Sequence, residues 1–169
     1  MPYRRSGFSL VEILIVVVLL GILAAIVVPR FADASNDATE SALCTDTATL
    51  RRQINLYRAQ HAGRGPHLDE TGSLDKVNLS TRLTARTDAQ GKLAAAGAFG
   101  PYLKRWPTNG FCEDSVAGSV TYGTQTSPPR DDTSGWYYNT DTSLISPNSA
   151  TGATAMDPAT SVSPAVREQ

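Results

Sequence analysis

Groups that do chemistry are scarce in this chain. Among 169 residues there are two histidines and two cysteines, and neither cysteine, Cys44 or Cys112, has a His or Cys beside it. That excludes a CxxC redox motif and leaves no Cys/His zinc site to argue for. His61 and His67 are separated by a Gly-Pro break, which suits a helix end and a loop better than a metal pair. No Ser/His/Asp set and no glycine-rich phosphate loop is present, so an enzymatic reading has no residues to rest on. Charge is sparse too: 18% of residues carry it, 15 basic against 16 acidic. There is no basic stripe, and so no nucleic acid is expected as a partner. Internal repeats, which would suggest a solenoid, are missing.

What stands out instead is one uninterrupted apolar run. From Phe8 to Val28 the only ionisable residue is Glu12 and the only other polar one is Ser9. As a helix this stretch is roughly 31 Å long, close to the hydrocarbon thickness of a bilayer. A carboxylate four residues into such a segment costs a few kcal/mol in lipid even on lenient scales. A costly group at a fixed place suggests a job. A secretory signal peptide is the obvious rival, and Ala32-Asp33-Ala34 imitates its cleavage site. The run is too long for a signal-peptide core, however, and Pro29, Arg30 and Phe31 interrupt it before that site. A plain anchor carrying a chance acidic residue is the other rival.

The segment Arg5-Ser6-Gly7-Phe8-Ser9-Leu10-Val11-Glu12-Ile13-Leu14 resembles the class III signal of type IV pilins and type II secretion pseudopilins, most closely the major pseudopilin. The resemblance implies cleavage between Gly7 and Phe8 by a prepilin peptidase, N-methylation at Phe8, and an assembly role for Glu12. It covers only about the first thirty residues. Chemistry supports that role. Cleavage exposes a cationic amine on Phe8, with Glu12 one helical turn away near the positive end of the helix dipole. The carboxylate can pair with its own amine or with that of a neighbouring subunit. Either pairing offsets burial of the charge, and a partner left alone is expensive. Glu12 then acts as a register device. Arg4 and Arg5 precede the span, so the amino terminus is expected in the cytoplasm, with the rest of the chain beyond the inner membrane in the periplasm.

The expected organisation follows. Residues 1–7 are a cleaved leader, 8–28 a transmembrane or filament-core helix, and 29–62 its amphipathic continuation. Residues 63–148 form a globular periplasmic head, and 149–169 form a tail rich in Ala, Ser, Thr and Pro, expected to be disordered. Pro29 is expected to bend the helix without ending it. Leu43, Leu50, Ile54 and Tyr57 fall on one helical stripe, whereas Arg51, Arg52 and Arg58 are assigned to more solvated sides. Gly63 and Gly65-Pro66 are the expected stop. A short helix is expected from Ser73 to about Thr84, capped by Ser73, with Leu74, Val77 and Leu83 inward. Asp88-Ala89-Gln90-Gly91 reads as a turn. Phe99-Gly100-Pro101-Tyr102-Leu103-Lys104-Arg105-Trp106-Pro107 resembles the Gly-Pro-Tyr-Leu…Pro segment of major pseudopilins, which implies aromatic rings wedged between helix and sheet.

Strands come late: Ser119–Thr124, then Gly135–Asn139 and Ser143–Ser146 as a hairpin about Thr140-Asp141-Thr142. The expected fold class is α+β and pilin-like, a long amino-terminal helix packed on a small antiparallel sheet. Trp136, Tyr138, Leu144 and Tyr122 are the candidates for its buried face. In an oxidising compartment Cys44 and Cys112 can form a disulfide. It closes a loop of about 70 residues, and the chain-entropy estimate is roughly 4 kcal/mol less any strain. Two buried free thiols are the alternative.

Resemblance to the major pseudopilins also raises calcium, for which Asp131 and Asp132 are the candidate loop. Calcium wants six to eight converging oxygens, and adjacent aspartates diverge. The family's Trp-Gly-Asn-Pro and late acidic loop are not matched, so a solvated turn is the preferred reading and no cofactor is expected. The function expected is that of a pseudopilin subunit, polymerising into a periplasmic filament of a type II secretion system. Its partners would be copies of itself, the prepilin peptidase, other pseudopilins, the inner-membrane assembly platform and the membrane. A type IV pilin or minor pilin of an adhesion, motility or DNA-uptake fibre is the nearest alternative. A membrane-tethered binding module that never polymerises is the rival of another class.

Overall fold

The computed structural model of the chain describes residues 9–76 and 79–152. Its elements are α1 (Leu10–Gln60), α2 (Leu79–Thr84), β1 (Val120–Gly123), β2 (Trp136–Asn139) and β3 (Ile145–Pro147). Compact packing divides the chain into two units, Met1–Ala38 and Thr39–Gln169.

Helix α1 starts where a cap is available. The amides of Glu12 and Ile13 donate to Ser9 O at 3.1 and 3.3 Å, so Ser9 takes the cap position and Glu12 the third helical one. That is the S-x-x-E spacing of a capping box. The helix continues past Pro29. It ends when Gly63 N donates to Arg58 O at 2.8 Å, the long bond of a Schellman ending. The left-handed residue at this ending is Ala62 (φ 53), followed by Gly63 (φ 84). The chain therefore turns one residue before the expected glycine, and a non-glycine residue adopts the costly conformation.

In the first unit, no residue of α1 from Leu10 to Val28 is buried. In the second unit Leu43, Leu50, Ile54 and Tyr57 are all buried, as their spacing predicts. They meet Leu79 and Leu83 of α2 and Trp136, Tyr138 and Ile145 of the sheet in one core.

The sheet has the order β1-β2-β3. The hairpin is present: β2 and β3 pair antiparallel, Trp136 opposite Pro147 and Tyr138 opposite Ile145. The expected all-antiparallel sheet is corrected, because β1 and β2 are parallel, Val120 opposite Trp136 and Gly123 opposite Asn139. Parallel neighbours need a crossover of about a dozen residues or more, and the Thr124–Gly135 connection has that length. The central strand is buried on both faces. Tyr137, facing away from Trp136 and Tyr138, is covered by the chain after β1: its hydroxyl accepts from Gln125 N at 2.9 Å. A Cβ on Gly123 would stand 2.6 Å from that hydroxyl, so a larger residue there would have to displace the Tyr137 ring.

Three further expectations are corrected. The helix placed at Ser73–Thr84 begins at Leu79. Before it, Asp69 Oδ1 accepts from Thr71 N at 2.8 Å and Ser73 N at 2.9 Å, which ties Ser73 into a loop. Leu74 bridges Leu68 and is 49% exposed; Val77 lies outside the described residues. Leu144 is 39% exposed, and its neighbour Ile145 fills the core instead, because Ile145 is the residue in register with Tyr138. Finally, packing continues beyond Asn148. Ser149 is buried and accepts from Asn109 Nδ2 at 3.0 Å. Residues 153–169 lie outside the described residues.

Candidate assembly site and family of the chain

Two surfaces carry the functional argument: the apolar half of α1 with its single carboxylate, and the head that the second half of α1 organises. In the first, Glu12 is exposed in the first helical turn, where the helix dipole favours an anion. Around it Leu10, Val11, Ile13 and Leu14 are each more than half exposed. The helix is long and apolar enough to cross a membrane. An apolar surface of this extent needs a cover, either lipid or other helices. Gly7 and Phe8, the expected cleavage and methylation positions, lie outside the described residues.

In the second, polar side chains fasten the head to α1. Arg51 is half-buried, and its guanidinium reaches β3: Nε donates to Ile145 O at 2.9 Å and NH2 to Ser146 Oγ at 3.2 Å. The solvated role expected for Arg51 is therefore corrected. The signal was present in its spacing, since Arg51 stands four after buried Thr47 and three before Ile54, on the edge of the core stripe. At the carboxyl end of α1 the His61 ring stacks on Tyr57 with centroids 3.9 Å apart, and Phe99 and Tyr102 meet it edge-on or tilted. His61 Nδ1 lies 2.8 Å from Tyr57 O, and Nε2 lies 3.0 Å from Thr87 Oγ1 and 2.9 Å from Asp88 O. The Phe99–Pro107 segment thus lays rings against the helix, and it meets the sheet where Trp136 Nε1 donates to Pro107 O at 3.0 Å.

His67 belongs to a separate network, with Nδ1 2.9 Å from the Tyr138 hydroxyl. Burial, then the cations Arg58 and Arg82, hold its pKa below the usual histidine value. Burial pushes the Tyr138 phenol up to about 12, which keeps it a neutral donor or acceptor. Arg82 is buried and forms an ion pair with Asp75 at 2.8 Å, while Nε and NH1 donate to Gly91 O and Pro66 O. A buried cation is tolerated only when satisfied in this way.

The Asp131–Asp132 loop is built from hydrogen bonds. Asp131 Oδ1 accepts from Thr133 Oγ1 at 2.7 Å, from Thr133 N at 3.2 Å and from Asn148 Nδ2 at 2.7 Å. These bonds, the Thr133 hydroxyl first, pull its pKa down. Asp132 Oδ1 accepts from Ala150 N at 2.9 Å. Each carboxylate thus spends one oxygen on N–H and O–H donors of the loop. Among the described residues no group of three or more His, Cys, Asp or Glu is placed to hold a metal ion. The expected Cys44–Cys112 bond is not formed: both thiols are free, Cys44 exposed on α1 and Cys112 half-buried with Sγ 3.7 Å from Ser134 O. Burial raises the Cys112 pKa.

Residues 2–28 match the prokaryotic N-terminal methylation motif, which places the chain in the prepilin class. A type II secretion system core protein G of Vibrio cholerae is 34% identical over 111 residues, 66% of this chain and 68% of that protein. The chain belongs to the type II secretion system core protein G family. The counterpart from Dickeya chrysanthemi is 34% identical over 62 residues, 37% of this chain and 40% of its own length. The type IV narrow pilus major component PilA5 of Thermus thermophilus is 38% identical over 60 residues, 36% of this chain and 52% of its own. In these last two the chain spans about half of the relative's length or less. No solved structure matches the chain.

Proposed function

We propose that this protein is a pseudopilin subunit that polymerises into a periplasmic filament of a type II secretion system. The observation that carries the reading is the Leu10–Val28 stretch of α1: exposed apolar side chains all round, interrupted only by Glu12. Lipid covers this surface before assembly, and the helices of neighbouring copies cover it in the filament. Cleavage after Gly7 leaves a methylated amine on Phe8, which pairs with the Glu12 carboxylate of a neighbour and sets the register. Arg4 and Arg5 hold the amino terminus in the cytoplasm and the head faces the periplasm. Prepilin peptidase, other pseudopilins and the inner-membrane platform are the partners. Neither catalysis nor a cofactor enters this reading.

The alternative of a type IV pilus subunit is favoured by the likeness to the Thermus pilus component. Intact mass and amino-terminal sequencing of protein purified from membranes test the shared premise. A start at Phe8 with one methyl group is expected, whereas a start at Met1 or after Ala34 overturns the polymer reading. Deleting the gene then separates the two: loss of a secreted enzyme from the medium marks a secretion filament, and loss of surface fibres marks a pilus.

A further inference from the structure

A cleft of about 460 Å³ lies between α1 and the Leu103–Thr108 segment. That volume falls within the roughly 300–1,000 Å³ of ligand clefts. Asp46 and Leu50 of α1 form one wall, and Leu103, Lys104, Arg105 and Trp106 the other. Leu50 is buried, Leu103 and Trp106 are half-buried, and Lys104 and Arg105 are exposed. Burial raises the pKa of Asp46, and the charge of Arg105 opposes that rise. Two cations against one carboxylate leave the rim favourable to an anion.

The described part of the chain ends close to this cleft. Ser149 Oγ accepts from Asn109 Nδ2 at 3.0 Å, and Asn109 follows Thr108 of the cleft wall. Gly152 packs on Phe111, whose ring a Cβ at that position would strike. The neighbouring Gly110 lies against α1, where its Cβ would stand 2.8 Å from the Thr39 methyl. Thr39 and Asp46 are seven residues apart, so they share a face of α1 and are separated by about 10 Å along its axis. After Gly152 the sequence continues Ala153-Thr154-Ala155-Met156-Asp157-Pro158. Extended chain covers about 3.3 Å per residue, so Met156 and Asp157 reach roughly 13 and 16 Å beyond Gly152. Pro158 biases Asp157 towards the extended backbone that a cleft-bound strand needs.

We propose that the Met156-Asp157-Pro158 segment of the chain's own tail docks in this cleft, with Met156 on Leu103 and Trp106 and the Asp157 carboxylate on the Lys104–Arg105 rim. The docking goes beyond the polymer reading and stands without it. It closes the cleft over Leu50 and holds the Leu103–Thr108 segment against α1. An exposed ion pair is weak by itself. Tethering compensates, because a segment held a few residues from its site has an effective concentration on the order of millimolar.

The test compares the full chain in detergent with a chain ending at Gly152, by acrylamide quenching of tryptophan fluorescence. Trp136 is fully buried and supplies a constant background, so a change reads Trp106. The shortened chain is expected to lose protection of Trp106 while keeping a cooperative thermal melt. A synthetic peptide of residues 153–169, added at roughly millimolar concentration, is expected to restore that protection. Lys104→Glu/Arg105→Glu in the full chain is expected to lose it as well, and adding Asp157→Lys to that variant is expected to recover it. In a Cys44→Ser/Cys112→Ser background, Arg105→Cys/Asp157→Cys is expected to form a disulfide within one chain on oxidation. Equal quenching of the full and shortened chains overturns the docking. A disulfide that joins two copies instead assigns the tail to a neighbour's cleft and overturns docking within one chain.

Discussion

The two halves of α1 share one backbone geometry and differ in what surrounds them. From Leu10 to Val28 the side chains, Glu12 excepted, are apolar on every face, and none of them is buried. From Leu43 to Tyr57 the apolar residues narrow to a stripe, and each of its members is buried. A helix that is apolar all round is made for lipid or for other helices, while a striped one is made for a single core. The comparison teaches that the same hydrophobic effect acts within the chain in one half and between chains in the other. Substitutions in the first half should be silent in folding and loud in assembly, and those in the second the reverse.

Glu12→Ala should break this division most clearly. Filaments are expected to disappear while cleavage at Gly7 and the melt of the head stay as in wild type; electron microscopy beside amino-terminal sequencing reads both, and normal filaments would overturn the register role. The next largest effect is expected from Leu50→Ala, which should destabilise the head by about 2–5 kcal/mol as a core truncation. The matched truncation Val16→Ala should shift head stability by no more than about 0.5 kcal/mol. Near-UV circular dichroism of the detergent-solubilised chain compares the pair, and equal shifts would erase the distinction.

Smaller still is the pH dependence of the head. The folded pKa of His67 lies below its ordinary 6.5, so the unfolded chain binds the proton more readily. The contribution of His67 is complete above about pH 6.5 and falls as pH drops from there towards the folded pKa. Melts between pH 7.5 and about 5 should show this decline, and His67→Gln should flatten it. Least of all, Ala62→Gly should stabilise the head by up to about 1 kcal/mol, because it relieves the left-handed conformation at the end of α1.

Much of this was legible in sequence where a single period or a rigid residue decided the outcome. The apolar run, the Leu43–Leu50–Ile54–Tyr57 stripe and the β2–β3 hairpin needed only local spacing. The relation of β1 to β2 did not follow, because a connection as long as Thr124–Gly135 permits either direction and only the assembled sheet chooses. The Ser73 helix start failed for a similar reason. Serine caps helices and closes loops through the same bonds, and Asp69, four residues earlier, captured its amide. Leu144 and Ile145 are adjacent apolar residues, and a shift of one position decides which enters the core. On the candidate site, Glu12 was visible as the lone charge in its run. Spacing put Arg51 at the edge of the core stripe, but the identity of its partners on β3 was not visible, since they are 94 and 95 residues away.

The attachment of the head by Arg51 and His61 has a mechanical consequence. The two side chains stand ten residues apart on α1, about 15 Å along its axis. One grips β3 and the other grips the turn at Thr87–Asp88. A pull along the helix therefore loads both attachments in shear at the same time, so neither is peeled away before the other. Load carried along this part of α1 is thereby shared between two separate points of the head.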